Sequence, residues 1–156
     1  MTRAQLLRGG WGSNRQKVIR PPWTKAEELF VEMCNRCGAC IDACPQQILK
    51  PGSGKFPVVD FTDVGCDFCQ KCIDACKYDA FIHTLEKPWG NKVNIRDNCL
   101  SKIGVICQSC SEVCEHDVIE FKLEMGGVPS IGLNLKNCNG CGECVSICPK
   151  DAIKVE

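Results

Sequence analysis

The sequence predicts an α+β fold with little ordinary hydrophobic core, built from tandem small units of short helices and two-stranded hairpins. Three observations support this prediction: sixteen of the 156 residues are cysteine, only ten are aromatic, and one cysteine pattern recurs four times. The last cysteines of the four runs stand at positions 44, 76, 114 and 148, and each precedes three mostly polar residues and an apolar pair. A repeat of this length is typical of one small structural unit that stacks on its neighbours.

The cysteines fall into four runs, three of which have the spacing C-x2-C-x2-C-x3-C. The runs are Cys34, Cys37, Cys40 and Cys44; Cys66, Cys69, Cys72 and Cys76; Cys99, Cys107, Cys110 and Cys114; and Cys138, Cys141, Cys144 and Cys148. This spacing places three thiolates around one 4Fe–4S cluster and sends the fourth to a neighbouring cluster. We therefore predict four 4Fe–4S clusters with all sixteen cysteines as ligands.

Three other kinds of cysteine-rich protein fit this pattern less well. A disulfide scaffold is typical of secreted proteins, and residues 1–22 contain no apolar run of the length that a signal peptide needs. Zinc sites use separated C-x2-C pairs to build one tetrahedron, whereas here three cysteines follow one another at short spacing. A metallothionein-type metal cluster would leave the regular apolar segments between the runs unexplained.

Residues 1–23 are predicted to form a basic N-terminal arm. Residues 1–25 contain six basic side chains and no acidic one, which favours docking of the arm on an acidic partner surface. The predicted docking residues are Arg3, Arg8, Trp11, Arg15, Arg20 and Trp23. A solvated tail, or a tail lying on the acidic body of its own chain, is the alternative. Nothing amphipathic in the arm favours binding to nucleic acid or to a membrane.

The rest of the chain divides into two predicted domains, residues 24–90 and 91–156, each with two clusters. Thr24 and Glu27 have the spacing of a capping box, which predicts a short helix that ends near Met33. Each cysteine run is predicted to be a loop that leads into a short helix and then a short strand. Return strands are expected at residues 56–61, 92–95 and 131–135. Since such units are near the size at which a core alone is marginal, the clusters should also stabilise the fold.

The third run leaves the role of its first cysteine open. Cys99 lies eight residues before Cys107, so it is either a ligand carried by a longer loop or a free thiol. The ligand is favoured because the other three sets are complete and a longer loop costs little entropy.

The exchange of the fourth cysteines is also open. Near-equal linkers favour exchange between adjacent runs, in which Cys76 joins the first run, Cys44 the second, Cys148 the third and Cys114 the fourth. The alternative pairs the first run with the fourth and the second with the third. Proline follows the last cysteine only in the first and fourth runs, which is a weak indication of that alternative.

These motifs resemble those of bacterial ferredoxins with two 4Fe–4S clusters, present here in duplicate. The whole chain is also similar to the NapF family of ferredoxin-type proteins, in its basic start, its Arg20-Pro21-Pro22-Trp23 segment and its unusual third run. The resemblance implies tandem bacterial-ferredoxin-like units and a cytoplasmic accessory role in maturation of the catalytic subunit of periplasmic nitrate reductase, a molybdopterin iron–sulfur enzyme. Family members can have adjacent arginines near the start, whereas Arg3 and Arg8 are separated here.

Enzymatic function is not expected, because the sequence contains no nucleophile–base set, phosphate loop, or flavin or nicotinamide fingerprint. We predict a cytoplasmic iron–sulfur protein without an integral membrane segment and without a nucleic-acid partner. The alternative is an electron-transfer polyferredoxin, or a small electron-transfer subunit of an oxidoreductase complex.

Overall fold

Short helices and two-stranded sheets make up the computed structural model of the chain, which describes residues 18–83, 87–124 and 127–156. In these ranges the helices are α1 (Glu27–Met33), α2 (Ala39–Asp42), α3 (Lys71–Asp74), α4 (Ser109–Glu112) and α5 (Glu143–Ser146). The strands are β1 (Leu49–Pro51), β2 (Pro57–Val59), β3 (Val93–Ile95), β4 (Ile119–Lys122), β5 (Ser130–Leu133) and β6 (Ile153–Val155). Single 3-10 turns lie at Ser53–Lys55 and Ser101–Ile103.

The chain folds as two similar halves. An antiparallel hairpin lies inside each half, β1 with β2 in the first and β4 with β5 in the second. The two ends of each half also pair: β3 runs antiparallel to β6, and an isolated bridge between Thr24 and Phe81 takes the same place in the first half. The short helices contact one another inside each half, α2 with α3 and α4 with α5. Each half therefore encloses two cysteine runs between its hairpin and its paired ends.

The predicted α+β architecture of short helices and small two-stranded sheets is confirmed, but one strand pairing was predicted wrongly. The return strands expected at residues 56–61 and 131–135 coincide with the hairpin strands β2 and β5. The strand expected at residues 92–95 does not belong to a hairpin, because β3 pairs with β6 at the far end of the chain.

The capping box predicted at Thr24 and Glu27 is also wrong. Thr24 pairs with Phe81 and lies two residues before the N-cap position, and its hydroxyl donates to the carbonyl of Pro21 at 3.1 Å. Helix α1 begins at Glu27, and the residue before it, Ala26, makes no side-chain cap. The helix ends at Met33 as predicted, directly before the first cysteine run.

Two small apolar cores position the cysteine loops; the first lies mainly in the first half but includes Val155 from β6, and the second lies in the second half. Phe30 from α1 is fully buried in the first half, where it packs near Phe81 with their ring planes almost perpendicular. The second core contains Val93, Ile119 and Ile153 from three different strands. Cysteines belong to both cores, so the cluster sites complete the interior of each half.

Residues 18–23 pack on the first half, and this packing gives Arg20 and Trp23, two of the predicted docking residues, contacts inside the domain. The Arg20 side chain is only 14% exposed, and its Nε donates to the carboxylate of Glu27 at 2.9 Å. Its second guanidinium contact is to the carbonyl of Pro57 at 3.1 Å. Trp23 is only 6% exposed, within the core around Phe30. These contacts favour a stabilising role for both side chains in the first half over the predicted docking role.

The other predicted docking residues, Arg3, Arg8, Trp11 and Arg15, lie outside the described residues. Within the described part of the chain, no helix has the length and apolar character needed to cross a membrane.

Candidate iron–sulfur sites

Three of the four cysteine loops have the same backbone conformation. In the first, second and fourth runs, the second and fourth residues after the first cysteine have positive φ: Arg36 and Gly38, Phe68 and Gln70, and Gly140 and Gly142. Left-handed residues in alternation turn backbone N–H groups toward one side and make a concave anion-binding surface. This surface fits the negatively charged unit that four thiolates form with a 4Fe–4S cluster.

The second loop adopts this conformation without glycine. Phe68 has a φ of 53° and Gln70 a φ of 64°. Left-handed geometry costs a residue with a side chain about 1–2 kcal/mol, so the surrounding structure must offset the cost. The sequence does not indicate this similarity, because the second run has no glycine at either position.

An Asn or Asp directly after the first cysteine closes each of these three loops. The contacts are Cys37 N to Asn35 Oδ1 at 3.1 Å, Cys69 N to Asp67 Oδ1 at 3.2 Å, and Cys141 N to Asn139 Oδ1 at 3.0 Å. Such side chains mimic a backbone turn and fix the chain between two successive ligands. The pattern that indicates this hydrogen bond in the sequence is the Cys-Asn or Cys-Asp pair at the start of three of the four runs.

The third loop has a different conformation, and the residues that follow Cys99 form a short turn. Its inserted residues form the 3-10 turn Ser101–Ile103, and the buried hydroxyl of Ser101 donates to the carbonyl of Pro129 at 2.8 Å. The backbone N–H of Ile103 donates to the carbonyl of Cys99 at 3.1 Å. Cys99 also lies close enough to Cys110 to raise the pKa of that thiol, which favours the ligand over the free thiol.

In the second half, the turn that follows the last cysteine of each run places a backbone N–H against the sulfur of that cysteine. In the second half, Val118 N donates to Cys114 Sγ at 3.4 Å, and Ala152 N donates to Cys148 Sγ at 3.3 Å. The residues before these donors, Asp117 and Asp151, have positive φ and close the turns. This geometry explains why polar residues and then an apolar pair follow those cysteines: the polar residues form the turn, and the apolar pair begins the strand.

The sixteen cysteines come together in four groups, judged from the electrostatic neighbours of the thiols and from shared cavity linings. Site I contains Cys34, Cys37, Cys40 and Cys76, and site II contains Cys66, Cys69, Cys72 and Cys44. Site III contains Cys99, Cys107, Cys110 and Cys148, and site IV contains Cys138, Cys141, Cys144 and Cys114. The groups correspond to exchange of the fourth cysteine between adjacent runs. That each of these sulfurs binds iron stays a prediction.

Burial disfavours the thiolate form of several of these cysteines when no metal is bound. Desolvation raises the pKa of Cys40, Cys66 and Cys144 to about 12, and that of Cys72 and Cys110 to about 11. Neighbouring sulfurs raise these pKa values further; Cys72 and Cys34 do so at Cys40. At neutral pH such thiols release their protons to solvent only when a bound partner supplies compensating positive charge. The irons of a cluster supply that charge.

The donor set fits an iron–sulfur cluster better than a zinc ion. All sixteen cysteines are free thiols. Among residues 18–83, 87–124 and 127–156, no three His, Cys, Asp or Glu side chains stand close enough to hold a single metal ion. The thiolates around a 4Fe–4S cluster each bind a different iron, so they stand farther apart than the ligands of one tetrahedral zinc.

A comparison with protein families agrees with this geometry. The model of the 4Fe-4S dicluster domain matches the chain twice, over residues 33–80 and 105–152. The two matches take in every cysteine except Cys99, which lies before the second. Two dicluster domains and sixteen cysteines correspond to four 4Fe–4S clusters, as predicted.

Known proteins resemble the chain over nearly its whole length. It is 38% identical to the ferredoxin-type protein NapF of Escherichia coli (strain K12), over 99% of this chain and 94% of that protein. It is 41% identical to the ferredoxin-type protein NapF of Haemophilus influenzae, over 98% of this chain and 92% of that protein. The ferredoxin-type protein NapG of Escherichia coli (strain K12) is 28% identical, over 88% of this chain and 69% of NapG.

Proposed function

Because the chain belongs to the family of ferredoxin-type proteins that includes NapF, we propose that it is an iron–sulfur accessory protein and not an enzyme. Its client is the catalytic subunit of periplasmic nitrate reductase, which it assists in the cytoplasm before export by inserting a cluster or by setting the redox state. The observation that carries this proposal is the 38–41% identity to NapF proteins along nearly the full length of both chains. A shared ferredoxin module alone would match only part of the chain.

The proposed role requires that the clusters exchange electrons with a partner, and the loops are suited to this. Each 4Fe–4S cluster supplies one-electron redox chemistry when bound. Cys37 and Cys69 are exposed, so sites I and II each have one ligand at the surface. The alternating left-handed residues orient backbone N–H groups toward the sulfurs and stabilise their negative charge.

An electron carrier is the second candidate function. The observation that favours it is a direct contact between the ligand loops of sites II and IV, in which Cys66 N donates to Cys141 O at 2.7 Å. This contact joins the cluster sites of the two halves, an arrangement suited to transport across the molecule.

Assay of the exported nitrate reductase in cells with and without this chain distinguishes the two functions. If the chain is a maturation factor, enzyme from cells that lack it should have low cluster content and low activity even with an artificial electron donor. If the chain is a carrier, the enzyme should be fully active with the artificial donor and inactive only with its physiological donor. Normal enzyme on both measures would contradict both functions. Recovery of the unexported catalytic subunit with the tagged chain should accompany the first outcome.

We also propose a domain division that differs from the sequence prediction at its first boundary. The first domain begins near residue 18, because Ile19 O accepts a hydrogen bond from Val59 N at 2.8 Å and Arg20 and Trp23 pack against the same half. The second domain comprises residues 91–156. The residues before 18 remain the proposed docking arm.

A further inference from the structure

The two halves of the molecule meet through their ligand loops. Cys66, the first cysteine of the second run, donates its backbone N–H to the carbonyl of Cys141, the second cysteine of the fourth run, at 2.7 Å. The cavity lined by the four cysteines of site IV is also lined by Cys66 and Phe68 from the other half. Site II and site IV are therefore neighbours in space, although the third run separates them in the sequence.

Gly65 permits this close approach. It is buried, and a Cβ atom placed on it would lie 2.8 Å from Cys141 O and 2.7 Å from Glu143 N. Both of these atoms belong to the backbone of the fourth loop, so neither can move aside as a flexible side chain would. Any larger residue at this position must separate the two loops.

The indole of Trp89 stabilises the same contact between the loops of sites II and IV. Trp89 lies in the segment that connects the two halves. Its Nε1 donates to the carbonyl of Asn139 at 2.8 Å, within the loop of site IV. Its ring meets the rings of Phe68 and Phe61 edge-on, at centroid distances of 5.7 and 6.1 Å. Phe68 belongs to the loop of site II, so one side chain contacts the ligand loops of both sites.

Within each half, the two cluster sites are also neighbours. Helix α2, which carries Cys40 of site I, contacts helix α3, which carries Cys72 of site II. Helix α4, which carries Cys110 of site III, likewise contacts helix α5, which carries Cys144 of site IV. Together with the contact between Cys66 and Cys141, these contacts connect the four sites in the sequence I, II, IV, III.

We propose that the four clusters form a single electron path in the order I, II, IV, III, and that Gly65 is the positioning residue of the junction between II and IV. The inference rests on the one-electron chemistry that either proposed function requires. In the step at the junction, a reduced cluster at one site loses one electron and the oxidised cluster at the other gains it. No bond forms or breaks. Site III then lies at one end of the path and site I at the other.

The test compares Gly65→Ala with Gly90→Ala in reconstituted holoprotein. Gly90 is a matched control, since no atom lies within 4 Å of a Cβ at that position and its φ is not in the left-handed region. Iron and sulfide are measured first, and then the spin–spin interaction between reduced clusters by electron paramagnetic resonance. The rate at which electrons redistribute after partial flash reduction is the second readout.

We expect both variants to retain their iron. Gly65→Ala should lose the interaction between the halves and redistribute electrons more slowly across the junction, while the interactions within each half persist. Gly90→Ala should match the unaltered protein. An iron-replete Gly65→Ala protein with unchanged interaction and rate would overturn the proposal.

If Gly65→Ala does not retain its clusters, a second variant tests the proposed junction between sites II and IV. Trp89→Phe removes the hydrogen bond to Asn139 O but keeps an aromatic ring, so it should weaken the same interaction between halves. An unchanged interaction in that variant would contradict the proposed junction. Failure of the unaltered holoprotein to accept any electron would instead contradict the proposed redox function, so the two failures are distinguishable.

Discussion

The residue after the first cysteine of a run sets the charge beside three of the cluster sites. Asn35, Asp67 and Asn139 make the same hydrogen bond to a backbone N–H two residues later. Only Asp67 among these three has a charged side chain, and its carboxylate contributes to the raised pKa of Cys66, of which desolvation is the main cause. A group that opposes negative charge on a sulfur also opposes an added electron on the cluster that the sulfur binds.

Replacement of Asp67 by Asn should therefore raise the midpoint potential of the site II cluster. The amide oxygen can keep the hydrogen bond from Cys69 N, as it does in the two matched loops, and besides the charge only the long contact from Gln46 Nε2 to the second carboxylate oxygen, at 3.4 Å, is lost. An exposed charge contributes about 0.2–1 kcal/mol, which corresponds to roughly 10–40 mV for one electron. The measurement is a redox titration followed by electron paramagnetic resonance.

The reverse substitution, Asn35→Asp, is the matched control for this prediction. It should lower the potential of the site I cluster by a similar amount. A shift in the same direction for both variants would mean that charge is not the cause.

At the scale of single residues, the spacing of the cysteines was enough to predict sixteen ligands, but nothing in the sequence indicated the burial of Arg20 and Trp23. Cysteine spacing is a local property that the chemistry of the cluster fixes. Burial is not local: Arg20 reaches Pro57, and Trp23 lies in a core with Phe81. A run of basic residues could not reveal that its last members fold back on the domain.

The inserted loop of the third run is the element that differs most from its counterparts. Its base is anchored by the buried Ser101, whereas Ile103 and Ile106 are 58% and 69% exposed. It lacks the alternating left-handed residues of the other three loops, and Gly104 alone has positive φ between Cys99 and Cys107. Site III is therefore held by fewer backbone constraints on the side of Cys99.

Site III should be the first cluster to lose iron in air, and Cys99→Ser should convert or remove this cluster alone. Most of the iron should remain, because the other three sites do not use this loop. Iron analysis and the electron paramagnetic resonance of the reduced variant test the expectation. Cys37→Ser is the matched control, since it changes an exposed ligand of site I in a loop with the usual conformation. Loss of all four clusters together in Cys99→Ser would contradict the prediction.

The hairpins were predictable at the scale of elements because turn residues and apolar alternation lie close together in the sequence. The pairing of β3 with β6 was not predictable in this way, since its partners are some sixty residues apart. The conformation of the cysteine loop of the second run was also not predicted, because Phe68 and Gln70, unlike glycine, do not indicate a positive φ in the sequence. Tertiary contacts decide both features.

The charge of the whole molecule is unevenly distributed. The chain has 19 basic and 19 acidic side chains, but Arg3, Arg8, Arg15 and Lys17 all precede residue 18, with no acidic residue among them. Each oxidised cluster with four thiolates adds a formal charge of about −2, so the body of the holoprotein is acidic. A basic segment attached to an acidic body is available for electrostatic docking on a client, but it can also contact its own body.

Removal of residues 1–17, or replacement of Arg3, Arg8 and Arg15 by Ala, should leave the iron content near normal and weaken binding to the client. Arg20 and Trp23 are kept, because they stabilise the first domain. Binding of the unaltered protein should weaken as salt rises, since exposed charges are screened beyond roughly 8 Å at physiological ionic strength. The measurement is the affinity for the unexported catalytic subunit at two salt concentrations.

The control removes three positive charges from the body instead, by Ala substitutions at the exposed Lys122, Lys136 and Lys150. If the arm docks, this control should bind nearly normally, and the arm variant should lose most of its salt dependence. Equal weakening in both would mean that only net charge matters. If the truncated protein loses clusters while its surviving holoprotein binds normally, the arm packs on its own body and the docking role is wrong. The two variants carry the same change in net charge, so a difference in affinity between them can come only from where the charges lie.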